Sequence, residues 1–102
     1  MATYHFQLAY SVSPHGNDKS AQARELLRKG IDGWKTVDDI DTTLVGEISF
    51  TCAKGEDKRD KARQIIQDEI TKLFESNGVL DHSYSHFSLM VDGLGQHITF
   101  YV

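Results

Sequence analysis

The chain has a single cysteine, Cys52, and a single proline, Pro14. One cysteine excludes an internal disulfide and a zinc site built from cysteines. Such a lone thiol is ordinarily a core residue. No apolar run approaches the roughly 18 residues of a membrane-spanning helix. The opening MATYHFQLAY has no basic stretch ahead of an apolar one, so no secretory signal is expected and a cytoplasmic location follows. Positive charge is also scarce. Lys and Arg number 11 against 15 Asp and Glu, for a net charge of −4 with the histidines neutral. That balance weighs against strong nonspecific nucleic-acid binding, which needs a basic field, although a local basic patch is still allowed. Nucleophile elbow, P-loop, dinucleotide fingerprint and HExxH motif are all missing, and GLGQHI has too few glycines in the wrong context. Any catalysis would rest on dispersed acid–base side chains, for which histidine is suited because it titrates near neutrality.

What is present reads as one domain, residues 1–102, of near-average composition. TYHFQLAYSV alternates over 3–12, with Tyr4, Phe6, Leu8, Tyr10 and Val12 on one face, which predicts a half-buried strand. Pro14 and Gly16 punctuate its end. A helix is expected from Asp18 to Lys29, capped by Asn17 or Asp18, with Ala23, Leu26, Leu27 and Ile31 on one side. Gly30 suits its C-terminal stop. A short strand at Trp34–Val37, a turn at DDID and a longer strand at Thr43–Cys52 follow. The second helix is predicted over Asp57–Ser76, with Asp57 as cap and Asp57–Lys61 as a surface ion pair, and Gly78 ends it. Two alternating runs flank Asp92-Gly93, a dipeptide suited to a two-residue hairpin turn.

The order β-α-β-β-α-β-β predicts an α+β ferredoxin-like sandwich with an extra C-terminal strand. Both helices should pack on one face of an antiparallel sheet. The other face should stay open, and alternation sends His5, Gln7, His86, Ser88, Met90, His97 and Tyr101 to it. The hairpin's polar side runs His82, Tyr84, His86, Ser88 and returns His97, Thr99, Tyr101, a row of imidazoles and phenols rather than Lys, Glu and Thr.

Three readings of that face compete. It is a solvated or dimeric surface whose tyrosines are good strand formers. It binds single-stranded RNA, with Tyr84 and Tyr101 as stacking platforms and Arg24 and His5 as further contacts. Or its histidines hold a metal. His82 and His86, four residues apart on a strand, lie about 13 Å from each other, so they cannot share one ion, and neither metal nor cofactor is expected. If RNA is cleaved, His86 and His97 are the acid–base candidates, and Arg28 is the candidate stabiliser of charge developing on phosphate. The basic residues Arg24, Arg28 and Lys29 on the first helix, and Lys54 to Arg63 at the start of the second, otherwise read as solvated helix faces.

Two families share this layout. GWKTVDDIDTTLVGEIS resembles the ferredoxin-fold CRISPR adaptation nucleases, where a Trp precedes a short turn and an Asp-Thr-Thr strand start. Those proteins carry a metal-binding aspartate at the end of the first strand, whereas LAYSVS has Ser11 and Ser13 there and no acid. In length and element order, in FSLMVDG and in Arg24 and Arg28 on the first helix, the chain resembles the GhoS-type antitoxins, small endoribonucleases that cut a toxin's message. That resemblance implies an RNA-directed regulator, a metal-independent endoribonuclease antitoxin acting on mRNA. The alternative is a non-catalytic homodimeric module that binds a protein partner as regulator or inhibitor.

Overall fold

A computed structural model describes residues 2–14, 19–29, 31–37, 40–80 and 83–102, with the side chains of 13, 14, 20, 40, 41, 83 and 84 excepted. The elements are β1 (Ala2–Pro14), α1 (Ser20–Lys29), β2 (Lys35–Val37), β3 (Ile40–Phe50), α2 (Lys58–Ser76), β4 (Ser83–Val91) and β5 (Ile98–Tyr101). They form an α+β structure in which all five strands pair antiparallel, in the order β2-β3-β1-β4-β5. The layout is compatible with the split βαβ arrangement. None of the described helices is long and apolar enough to cross a membrane.

Strand β1 is the spine of the sheet. It pairs with β3 from Ala2 to Ala9 and with β4 from Phe6 to Pro14. This double pairing explains why it extends past the expected 3–12 at both ends. Each end is held by a different neighbour, and Pro14, which cannot donate to a ladder, is the last residue. One face of the strand is buried at Phe6, Leu8, Tyr10 and Val12, with Tyr4 half-buried. The opposite residues Thr3, His5, Gln7, Ala9 and Ser11 are exposed.

Register turns these alternations into cross-strand rows on the buried face. Leu44, Leu8, Leu89 and Ile98 form one row, and Tyr10, Phe87 and Phe100 another. In the second, Phe87 and Phe100 stack at 4.9 Å and 12°, and Tyr10 lies 6.3 Å from Phe87. Both helices cover this face. From α1 come Ala23 and Leu27, and from α2 come Ala62, Ile66, Ile70 and Phe74, all in one core cluster with the strands.

A third row is Gly46, Phe6 and Val91. Here glycine is required by packing. A Cβ on Gly46 would sit 2.9 Å from the Phe6 ring and 3.0 Å from the Trp34 ring. The missing side chain lets Trp34, from the segment before β2, meet Phe6 edge-on at 5.0 Å and 72°.

Several expectations shift in detail. Helix α1 begins at Ser20, and its proposed caps Asn17 and Asp18, like Gly30, lie outside the described residues. Strand β2 starts at Lys35 rather than Trp34, whose ring is used in the core edge. Strand β3 begins at Ile40 and ends at Phe50, which leaves Cys52 half-buried beyond it. Asp57 caps α2 as expected, accepting from the amides of Arg59 and Asp60. Its carboxylate is thereby committed, and Lys61 Nζ instead meets Glu56 Oε2 at 3.4 Å. Gly78 has φ 69 just past the helix, as a C-terminal stop requires.

The hairpin differs most. The expected two-residue turn at Asp92-Gly93 is a longer loop over 92–97, because Leu89 pairs with Ile98. Gly93 and Gly95 both have positive φ, Leu94 is half-buried, and Arg59 of α2 donates to the carbonyls of Leu94 and Gln96, each at 2.6 Å. The loop is thus bolted to the start of α2. Lengthening it by an even number of residues leaves every β5 side chain on its expected face.

Gly46→Ala tests the third row. Strand propensity alone favours alanine over glycine. The clash with two rings predicts a loss of about 1–3 kcal/mol, as overpacking usually brings. Denaturant unfolding reads the difference, and an unchanged midpoint would show that the rings yield.

Candidate functional site

The face away from the helices carries its own rows. Val45, Gln7 and Met90 form one, and Ser11, His86 and Tyr101 another. Between them lies a row of short side chains, Ala9, Ser88 and Thr99. The outer rows are four residues apart along each strand, about 13 Å. The His86 and Tyr101 rings stand as a wall beside this low floor. A shallow groove of about 580 Å³ occupies this floor, lined by Ala9, Ser11, Ser88, Thr99, His86 and Tyr101. Tyr10, Phe87 and Phe100 also line it, yet their side chains are in the core, so they contribute backbone.

Tyr101 is 67% exposed and Met90 53%, the two large hydrophobic residues displayed on the surface described. The His86 and Tyr101 rings pair across β4 and β5 at 5.8 Å and 44°. Cross-strand contact orients both rings at little cost in freedom, since each side chain has only two torsions. The wall they make is polar at its tips and apolar in its body, which suits a planar ring or an extended chain laid across the strands.

Other expected site residues are elsewhere. His5 lies at the opposite end of β1, with Nδ1 3.5 Å from Glu47 Oε1 and both side chains exposed. It lines a separate concavity of about 900 Å³ with Trp34, Lys35 and Met90. His97 is exposed in the 92–97 loop and precedes β5, about 13 Å along the strand from Tyr101 and its partner His86. His86 and His97 therefore do not form an acid–base pair in this arrangement. Tyr84 is in β4 opposite Ser13, one step beyond His86, but its side chain lies outside the described residues, as does His82 altogether.

The arginines belong to the helix layer. Arg24 Nη2 donates to the Val12 carbonyl at 3.1 Å, tying α1 to β1. Arg28 Nη1 lies 3.8 Å from Glu25 Oε2, and Lys29 Nζ is 2.8 Å from the other oxygen of the same carboxylate. Glu25 is held below its ordinary pKa, chiefly by the Lys29 hydrogen bond and charge, with a smaller contribution from Arg28. The sheet stands between these guanidinium groups and His86. Alternation places only Lys35 and Glu47 as fully charged groups on the open face among the described strand side chains. No group of three or more metal-ligating side chains is gathered among the described residues.

Alternation reveals Ala9, Ser88 and Thr99 as open-face residues, but only the strand register reveals them as a floor. Nothing in the sequence singles them out, because Ala, Ser and Thr carry no chemical signature. Comparison of the chain with protein-family models, with curated proteins and with solved structures finds no match.

The groove can be altered without breaking the fold. Tyr101→Ala removes an exposed ring and one cross-strand contact, and should cost less than about 1 kcal/mol. The adjacent Phe100→Ala empties a buried stacked position and should cost about 3–5 kcal/mol. Thermal unfolding of the two variants side by side checks the face assignment, and equal losses would contradict it.

Proposed function

We propose that this chain is a ferredoxin-like domain that binds single-stranded RNA on its open sheet face, with a base held in the groove beside His86 and Tyr101. The observation that carries the reading is the paired, outward-facing His86 and Tyr101 rings over a floor of short side chains. Stacking on an aromatic platform is sequence-tolerant because every base has a π-face, and each such contact contributes about 1–3 kcal/mol. Tyr84, one step along β4, is a candidate for the next base.

The sharpest form of the reading is a GhoS-like endoribonuclease antitoxin that cuts a toxin's mRNA. Cleavage on this face would use His86 as its acid–base group. Arg28, engaged with Glu25 on the helix layer, would then be a scaffold residue rather than a phosphate ligand. A second reading has its own support. The open face is poor in charge and displays Met90 and Tyr101, which suits a homodimer or a protein partner better than a polyanion.

Binding of a fluorescent single-stranded RNA pool at two salt concentrations separates the readings. The RNA reading expects measurable binding with a shallow salt dependence, because few cations line the face. Tyr101→Ala should weaken it roughly 5- to 150-fold, the equivalent of one lost stacking contact. Arg28→Ala should leave it unchanged. His86→Ala should abolish any cleavage seen on a sequencing gel. Absence of binding and cleavage across the pool would leave the protein-binding module. A steep salt dependence insensitive to Tyr101 would move the RNA to the helix layer.

A further inference from the structure

The two edges of the sheet are protected unequally. Strand β2 is three residues long, carries Lys35 and shifts register between Thr36 and Val37. Shortness, lysine and irregularity are the usual defences of an edge against an incoming strand. Strand β5, at four residues, has neither the lysine nor the irregularity. It continues the ladder through Val102, whose N–H and C=O exchange hydrogen bonds with Ser85. The run ITFYV holds no charge, no proline and no glycine. Such a segment on an edge is a template for further pairing.

The ladder fixes which backbone groups face outward. Val102 turns its groups toward Ser85, so by the alternation of antiparallel pairing Phe100 and Ile98 do the same toward β4. The N–H and C=O of Tyr101 and Thr99 point the other way, off the sheet. Gln67 of α2 meets one of them. Its Nε2 donates to the Tyr101 carbonyl at 3.2 Å.

The amide is held in that orientation. Gln67 Oε1 accepts from Arg63 Nη1, and Arg63 is in turn fixed by Asp60 Oδ1, at 3.2 Å from Nε and 2.9 Å from Nη2. Arginine has donors only, so it selects the oxygen of the amide and leaves the NH₂ to face the strand. The three residues follow at i, i+3 and i+7 on one side of α2, the helix that lies over β5. Half-buried Arg63, one of the basic cluster at the start of α2, thus has a structural use.

We infer that Gln67 is an edge guard. Its amide occupies the outward carbonyl of Tyr101 and so blocks strand addition to β5, and its removal lets two copies of this chain pair β5 to β5. A second copy is the fitting occupant because identical strands placed antiparallel about a two-fold axis are self-complementary, and no side chain of β5 is charged to oppose its own copy. The guard leaves the sheet face untouched, so it is independent of the RNA reading.

Sedimentation velocity over a concentration series, combined with hydrogen exchange at the Thr99 and Tyr101 amides, tests the guard. In the unaltered chain these two amides should exchange rapidly at every concentration, whatever association occurs through the sheet face. Gln67→Ala should shift the chain toward a dimer as concentration rises, with both amides becoming protected together. Adding Thr99→Pro to Gln67→Ala removes an outward N–H and should return the sedimentation to that of the unaltered chain. Circular dichroism confirms that each variant is folded. The inference fails if Gln67→Ala associates no more than the unaltered chain, if the unaltered chain already protects the two amides with rising concentration, or if the proline does not reverse the dimer.

Discussion

Strand β1 is hydrogen-bonded on both sides, and the rest of the molecule is arranged about that fact. Its residues alternate, so one face must be apolar and sealed while the other is whatever the helices do not cover. Phe6, Leu8, Tyr10 and Val12 each anchor or extend a cross-strand row in the sealed layer. Shifting β1 by one residue would expose every one of them and bury His5, Gln7 and Ser11 without partners. The rows therefore hold the register, and the register in turn composes the open face.

Charge is distributed to match. Three of the arginines act as fasteners. Arg24 ties α1 to β1, Arg59 pins the β4–β5 loop to α2, and Arg63 orients Gln67. A guanidinium suits this work because it offers several donors in a fixed plane and can satisfy two backbone carbonyls at once. The consequence is an open face nearly bare of cations. Its recognition chemistry must come from ring faces, hydroxyls and amides. That composition favours flat, weakly charged surfaces and makes base stacking, rather than phosphate pairing, the basis of the proposed RNA contact.

Much of the architecture is legible in the residues. The helix over Lys58–Ser76 follows from its apolar stripe and from Asp57, whose side chain can reach the first-turn amides. The open-face assignment of His86, Met90 and Tyr101 follows from period two alone. The hairpin turn was misplaced because Asp-Gly is a strong local signal, whereas the winning contacts, Arg59 to the Leu94 and Gln96 carbonyls, join residues 35 and 37 positions apart. Likewise, the grouping of Arg28 with His86 and His97 treated suitable chemistry as proximity. The sheet separates Arg28 from His86, and His97 lies in the loop before β5, four residues before Tyr101, the partner of His86.

By itself, then, the sequence determined the element types, the apolar face of each element and the set of side chains left over for the outer surface. These are local properties, because a 3.6-residue or 2-residue period expresses itself within a dozen positions. Tertiary structure alone decided which leftovers are neighbours. Ala9, Ser88 and Thr99 become a floor, His86 and Tyr101 a wall, and Gln67 a cover for Tyr101 only when strand register and helix placement bring distant positions together. Register depends on the sum of contacts across several strands, and no single stretch of the chain contains that sum.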